Sequence, residues 1–144
     1  MKLKLYLEAV CADGQNVNPL FCFLGAHVRM AERGRCMIDL PVSHKLTQGD
    51  GLVAGGILAT IADEAMAHAI ISILEPGQRT VTTEMNIRYL RSADAESHGT
   101  LTSTATVIKP GRRVMVAEAE IHDDKGRLLA TAGGSFFVLE KDAA

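Results

Sequence analysis

Asp63 and Glu64 stand side by side in the run GLVAGGILATIADEAMAHAI, residues 51 to 70, where almost every other side chain is apolar. A carboxylate taken out of water without a partner is costly or is neutralised by an upward pKa shift, so an acid in a buried segment needs a partner or a purpose. Glu64 has His68 four residues on, a spacing that lets the two meet on one helix face. Asp63 has Ala59, Ala67 and Ile70 as helical neighbours and no local cation. It is either a structural hydrogen-bonder at a seam or a group that does chemistry as general base or nucleophile. Ahead of it lie Ala54, Gly55 and Gly56, where the free N–H groups and positive dipole end of a helix could hold an oxyanion. The same glycines also suit a plain loop-to-helix turn. His27, His44, His68, His98 and His122 show no H-x-x-x-H type spacing, so no metal centre is expected.

These residues need a helix to carry them. From about Gly55 to Leu74 the segment is long enough for about five helical turns, and Glu75-Pro76-Gly77 stops it. It is apolar on nearly every face, which marks a buried helix, here one wrapped by a sheet. Before it, Leu3, Leu5, Leu7 and Val10 predict a short amphipathic helix ending at ADGQN. AHVRMAERGRCMIDLPVS reads as two paired strands about a turn at Glu32 to Gly34, with Cys36, Ile38 and Leu40 on one face and Pro41 limiting the second strand. HKLTQGDGLV is a polar loop feeding the helix. After the helix, strict alternation puts Val81, Thr83, Met85, Ile87 and Tyr89 on one strand face and Thr82, Glu84, Asn86 and Arg88 on the other. Further strands follow, separated by turns at KPGRR and DDKG. Two strands, one central helix and a long antiparallel meander make a single α+β domain over residues 1–144, its curved sheet enclosing the helix.

The totals agree. A chain of 144 residues, 47% hydrophobic and 22% charged, can bury a continuous core without disulfides or metal. A net charge of −2 argues against general phosphate attraction to nucleic acid. Cys11, Cys22 and Cys36 form no C-x-x-C pair and read as reduced, packed thiols. The N-terminus has no signal-peptide core and the longest apolar run is too short to span a membrane, so a cytoplasmic location and no membrane partner are expected.

The blocks GLVAGGILATIADEAMAHA, TVTTEMNIRYLRSA and GTLTSTATVIKPGRRVMVAEAEIHDDKGRLLATAGGSF, in this order and spacing, resemble the hotdog-fold acyl-CoA thioesterases of the phenylacetate-degradation (PaaI-like) type, relatives of the 4-hydroxybenzoyl-CoA thioesterases. The resemblance covers roughly residues 19 to 139. It implies a long helix wrapped by a curved antiparallel sheet, a homodimer or homotetramer with the site at the dimer interface, and an acyl-CoA substrate with no cofactor. It also implies site roles. Asp63 falls where the family keeps its helix carboxylate, Gly55 where an N–H meets the thioester oxygen, and Gly56 beside it on the substrate. Two positions depart from the pattern: Ala54 replaces the usual His and Gln48 the usual Asn. A water-positioning hydroxyl falls on Thr82 or Thr83, strand parity favouring Thr83. Arg88, Arg91, Lys109, Arg112 and Arg113 resemble the rim that contacts the nucleotide of coenzyme A. The reaction implied is thioester hydrolysis. A non-catalytic acyl-CoA or lipid-binding hotdog protein is the alternative, favoured by Ala54. A hotdog hydratase or dehydratase, using an Asp and a His five apart as in Asp63 and His68, is the more distant one.

Overall fold

The computed structural model describes residues 2–96 and 99–140; His98 lies outside them. Helices α1 (Leu3–Val10) and α2 (Pro19–Leu24) precede strands β1 (His27–Glu32) and β2 (Arg35–Pro41). A 3-10 turn over His44–Leu46 leads into the long helix α3 (Gly55–Ile71), followed by β3 (Arg79–Tyr89), β4 (Thr100–Lys109), β5 (Val114–His122) and β6 (Leu128–Leu139). The six strands form one antiparallel sheet in the order β1-β2-β4-β5-β6-β3, and α3 packs against every one of them. This is the hotdog arrangement, a central helix in a curved sheet.

Apolar content on every face of α3 explains its place. Leu58, Ile61, Ala65, Met66, Ala69 and Ile70 share one core with Ile38, Leu40, Leu101, Ile121 and Phe136 of the sheet. Each large side chain so buried stabilises the fold by about 1.5–3 kcal/mol before entropy is counted. The helix ends at Ile71 rather than at Leu74. Ser72 causes the early stop: its hydroxyl donates to the Ala69 carbonyl at 2.6 Å and accepts from the Gly34 N–H at 2.8 Å, tying the helix end to the first hairpin. That hairpin turns at Arg33 and Gly34, both at positive φ, and buries Cys36, Ile38 and Leu40 completely.

Three expectations change. β4, β5 and β6 do form a meander, but β3 pairs with β6 and not with β4, so β3 becomes an edge of the sheet. The N-terminal segment holds two helices, not one. Asn18 accepts from the Phe21 N–H, Pro19 occupies the first turn and Gly25 at φ 73° closes α2, a complete set of cap signals. Of the thiols, Cys36 is buried and Cys11 half-buried, but Cys22 is exposed; all three are free. No described helix is long and apolar enough to cross a membrane.

Candidate active site

Asp63 sits in the middle of α3, half-buried, facing edge strand β3. The Thr82 hydroxyl donates to Asp63 Oδ1 at 2.7 Å. Among the described residues Oδ2 has no hydrogen-bond partner and is left open to accept a proton or attack a carbon. Strand alternation favours Thr83 for this contact, and the structure overturns that. A bulge between Thr82 and Glu84 breaks the period-2 pattern. Thr82, Met85, Ile87 and Tyr89 pair with Phe136, Gly134, Ala132 and Ala130, residues buried beneath α3, while Val81, Glu84, Asn86 and Arg88 share the outer face. Thr83 takes the bulge position and spends its hydroxyl on the Ser135 carbonyl at 2.9 Å.

Glu64 and His68 meet on one helix face as their spacing allows, with the imidazole held by further partners. His68 Nδ1 lies 2.8 Å from the Glu64 backbone carbonyl, which can only accept, so Nδ1 carries the proton. Nε2 then accepts from the Tyr6 hydroxyl at 2.8 Å, and Tyr6 accepts in turn from Asn18 Nδ2 at 3.0 Å. The Glu64 carboxylate stands 3.7 Å from Nδ1, close enough to count as an ion pair by distance. Charge argues otherwise. Burial lowers the pKa of His68, and burial, then the neighbouring Asp63 charge, push the Glu64 carboxyl up to about 7. Both groups are driven towards neutrality, so the contact is not a charged pair. The network docks α1 and α2 onto α3 and occupies both ring nitrogens of His68, leaving neither for the pairing with Asp63 that a hydratase would need.

At its start α3 has Ala54 as N-cap, with no side-chain cap. The Ala54 N–H is taken by the Leu46 carbonyl at 2.9 Å, and the Ala54 carbonyl accepts from Ile57 and Leu58. Gly55 and Gly56 follow, exposed, their N–H groups without a backbone acceptor among the described residues. Gly55 opens onto a cavity of about 310 Å³ whose walls include Gln48, Leu52, Leu58, Tyr89 and Arg91. Gln48 holds its loop by accepting from the Asp50 N–H. Tyr89 donates its hydroxyl to the Gly55 carbonyl at 2.7 Å.

Asp63 and Gly55 do not meet within one chain, because eight residues of helix separate them by about 12 Å along the axis. The basic residues divide in the same way. Arg91 lines the cavity beside Gly55, and Arg88 lies on the outer face of β3. Lys109, Arg112 and Arg113 sit at the β4–β5 turn, where Val114 pairs with Phe137 and Phe137 with Val81, at the opposite end of β3 from Tyr89. No group of three or more His, Cys, Asp or Glu side chains among the described residues is placed to hold a metal ion.

Comparison with known proteins gives the family. A family model, the thioesterase superfamily, matches residues 50–130, the span that holds α3, β3, β4 and β5. The chain is 29% identical to the proofreading thioesterase EntH of Klebsiella pneumoniae, covering 90% of this chain and 91% of that one. It is 28% identical to the 1,4-dihydroxy-2-naphthoyl-CoA hydrolase of Listeria monocytogenes, over 82% of this chain and 94% of that protein. The solved structure of the E. coli PaaI protein from the phenylacetic acid degradation operon superposes with a TM-score of 0.78 at 25% identity, covering 87% of each chain. By family and by fold alike, the chain belongs to the thioesterase superfamily of hotdog hydrolases.

Proposed function

We propose that the protein hydrolyses an acyl-CoA thioester to the free acid and CoA, in a site completed by a second copy of the chain, with Asp63 as its acid–base or nucleophilic group. The observation that carries the reading is the carboxylate itself: Thr82 of the exposed edge strand holds one oxygen of Asp63, and the other has no hydrogen-bond partner among the described residues. As general base, Asp63 takes a proton from water as the hydroxide adds to the thioester carbon. The tetrahedral oxyanion rests on the Gly55 N–H. Its collapse breaks the C–S bond, and the proton on Asp63 goes to the departing CoA thiolate. As nucleophile, Asp63 attacks the thioester carbon and expels the CoA thiolate, leaving an acyl anhydride that water opens to the free acid and the Asp63 carboxylate.

The second copy solves the separation of Asp63 from Gly55. Thr82 marks the Asp63 end of β3 and Tyr89 marks the Gly55 end. Antiparallel pairing of two β3 edges centred near Met85 and Asn86 sets Thr82 of one copy opposite Tyr89 of the other, bringing Asp63 across to the second copy's Gly55. A long, exposed edge strand is a ready template for such pairing. The same operation carries Lys109, Arg112 and Arg113 towards the cavity that Arg91 already lines, where the CoA phosphates need cations. Gly56 and Gln48 would border the substrate. The Listeria relative, a hydrolase of an aryl-CoA ester by its name, supports CoA as the thiol.

Ala54, with no imidazole to offer, favours a non-catalytic acyl-CoA-binding protein as the second reading. Thiol release from acetyl-, hexanoyl-, palmitoyl- and benzoyl-CoA separates the two. Turnover of at least one ester supports hydrolysis; saturable binding with no release from any of them supports the binding protein.

A further inference from the structure

We propose that Tyr89 is a positioning residue for this hydrolysis, its hydroxyl pinning the Gly55 carbonyl and so fixing the Gly56 N–H that shares its peptide plane, next to the Gly55 N–H at the start of α3. The inference rests on the reading that the helix start holds the oxyanion.

Three observations meet at this point. First, the helix begins with two consecutive glycines, the residue type with the widest φ/ψ freedom. A donor that stabilises charge in a transition state must be aimed beforehand, and backbone freedom works against that. Second, the two peptide planes concerned are held from different sides. The plane of Ala54 C=O and Gly55 N–H is held by Ile57 and Leu58, which both donate to that carbonyl, at 2.9 Å and 3.3 Å. The plane of Gly55 C=O and Gly56 N–H is held from outside the helix by Tyr89, at 2.7 Å. Because a peptide unit is rigid, fixing the carbonyl fixes the N–H at its other end. Third, the tyrosine and the glycine are fitted to each other. A Cβ on Gly55 would lie 3.2 Å from Cζ and from the hydroxyl oxygen of Tyr89, tighter than ordinary contact. The ring therefore lies directly over Gly55, and only a residue without Cβ lets it close without a shift.

Both residues wall the same cavity, and Tyr89 reaches it from the end of β3. The tyrosine is thus a strut from the sheet to the first turn of the helix. Its hydroxyl donates to Gly55, so it acts through the backbone and not as an acid on the substrate.

Tyr89→Phe keeps the ring and removes only the pin. On the acyl-CoA that the wild type turns over fastest, kcat is expected to fall about tenfold, the effect of losing about one hydrogen bond's worth of aim. KM should stay within about twofold and Tm within about 2 °C, for a change that touches only the transition state. Binding of the non-hydrolysable thioether analogue of that ester should be unchanged. An unaltered kcat would overturn the proposal, as would a rise in KM alone, which makes Tyr89 a substrate contact. A fall in kcat matched by a comparable loss of thermal stability would assign the residue to packing and overturn it too. Asp63→Asn is run alongside. If that variant keeps full activity, the hydrolytic reading itself fails. If it is inactive while Tyr89→Phe matches the wild type, only the role of Tyr89 fails.

Discussion

Thr82 donates its hydroxyl to Asp63 Oδ1 across the interface between edge strand and central helix, and a single bulge residue makes that contact possible. Without the bulge, Thr83 would occupy the helix-facing position and Thr82 would point outwards. The two threonines therefore separate a hydroxyl that reaches Asp63 from one that serves the sheet backbone. Thr82→Val should lower kcat by about 10- to 100-fold, the loss of a hydrogen bond to a charged group, with little change in KM. Thr83→Val should stay within about threefold of wild type in kcat, since its hydroxyl serves only the Ser135 carbonyl. Steady-state kinetics on one acyl-CoA checks both.

Glu64 predicts a pH-dependent stability with a definite sign. Burial, and after it the Asp63 charge, raise its carboxyl from the ordinary 4.5 to about 7 in the folded chain. Between these values the folded state binds more protons than the unfolded one. The favourable contribution is complete below about pH 4.5 and is lost as pH rises through about 7. Glu64→Gln removes the titration. Thermal melts should show the variant more stable than wild type at pH 8, by roughly 1–3 kcal/mol, and the two converging at pH 4.

The Tyr6 hydroxyl links Asn18 of the N-terminal segment to His68 of α3. Tyr6→Phe leaves the buried Nε2 without a donor and should cost about 1–2 kcal/mol, lowering Tm by several degrees while leaving KM unchanged. Differential scanning calorimetry with parallel kinetics checks it.

A site built across two copies predicts complementation. Gly55→Pro deletes the N–H at the first helical position, where the backbone accepts proline at the cost of shifting the Tyr89 hydroxyl off its Cβ, and Asp63→Asn deletes the carboxylate chemistry. Each variant alone should be inactive. Refolded together in equal amounts, half of the dimers carry one intact site of two, so about a quarter of wild-type activity should return. No recovery would place Asp63 and Gly55 in independent roles.

Much of this was legible in residue order. The all-round apolar pattern of residues 55–70 could only be a buried helix, and Asp63 stood out as a carboxylate without a local partner. The miss at Thr83 has a definite cause: a bulge adds one residue to a strand without a composition signal, and each residue beyond it changes face. Helix α2 was missed: its cap residues are Asn18, Pro19 and Gly25, but its six residues are too few for periodicity to register. Glu64 and His68 do meet as their spacing allows, but spacing does not show which atom takes the proton; the Glu64 backbone carbonyl decides that, and Tyr6, 62 residues away, takes the other ring nitrogen. Tyr89 was hidden for the same reason, since its contact with Gly55 joins two elements 34 residues apart.

Asp63→Asn keeps the size and shape of the side chain and can still accept from Thr82, but it can neither take up a proton at neutral pH nor form an anhydride. The kcat for thiol release from the fastest acyl-CoA substrate, compared with wild type at matched Tm, is the decisive quantity. A fall of about 10²- to 10⁴-fold is expected from loss of the acid–base group; a rate equal to wild type would remove Asp63 from the chemistry.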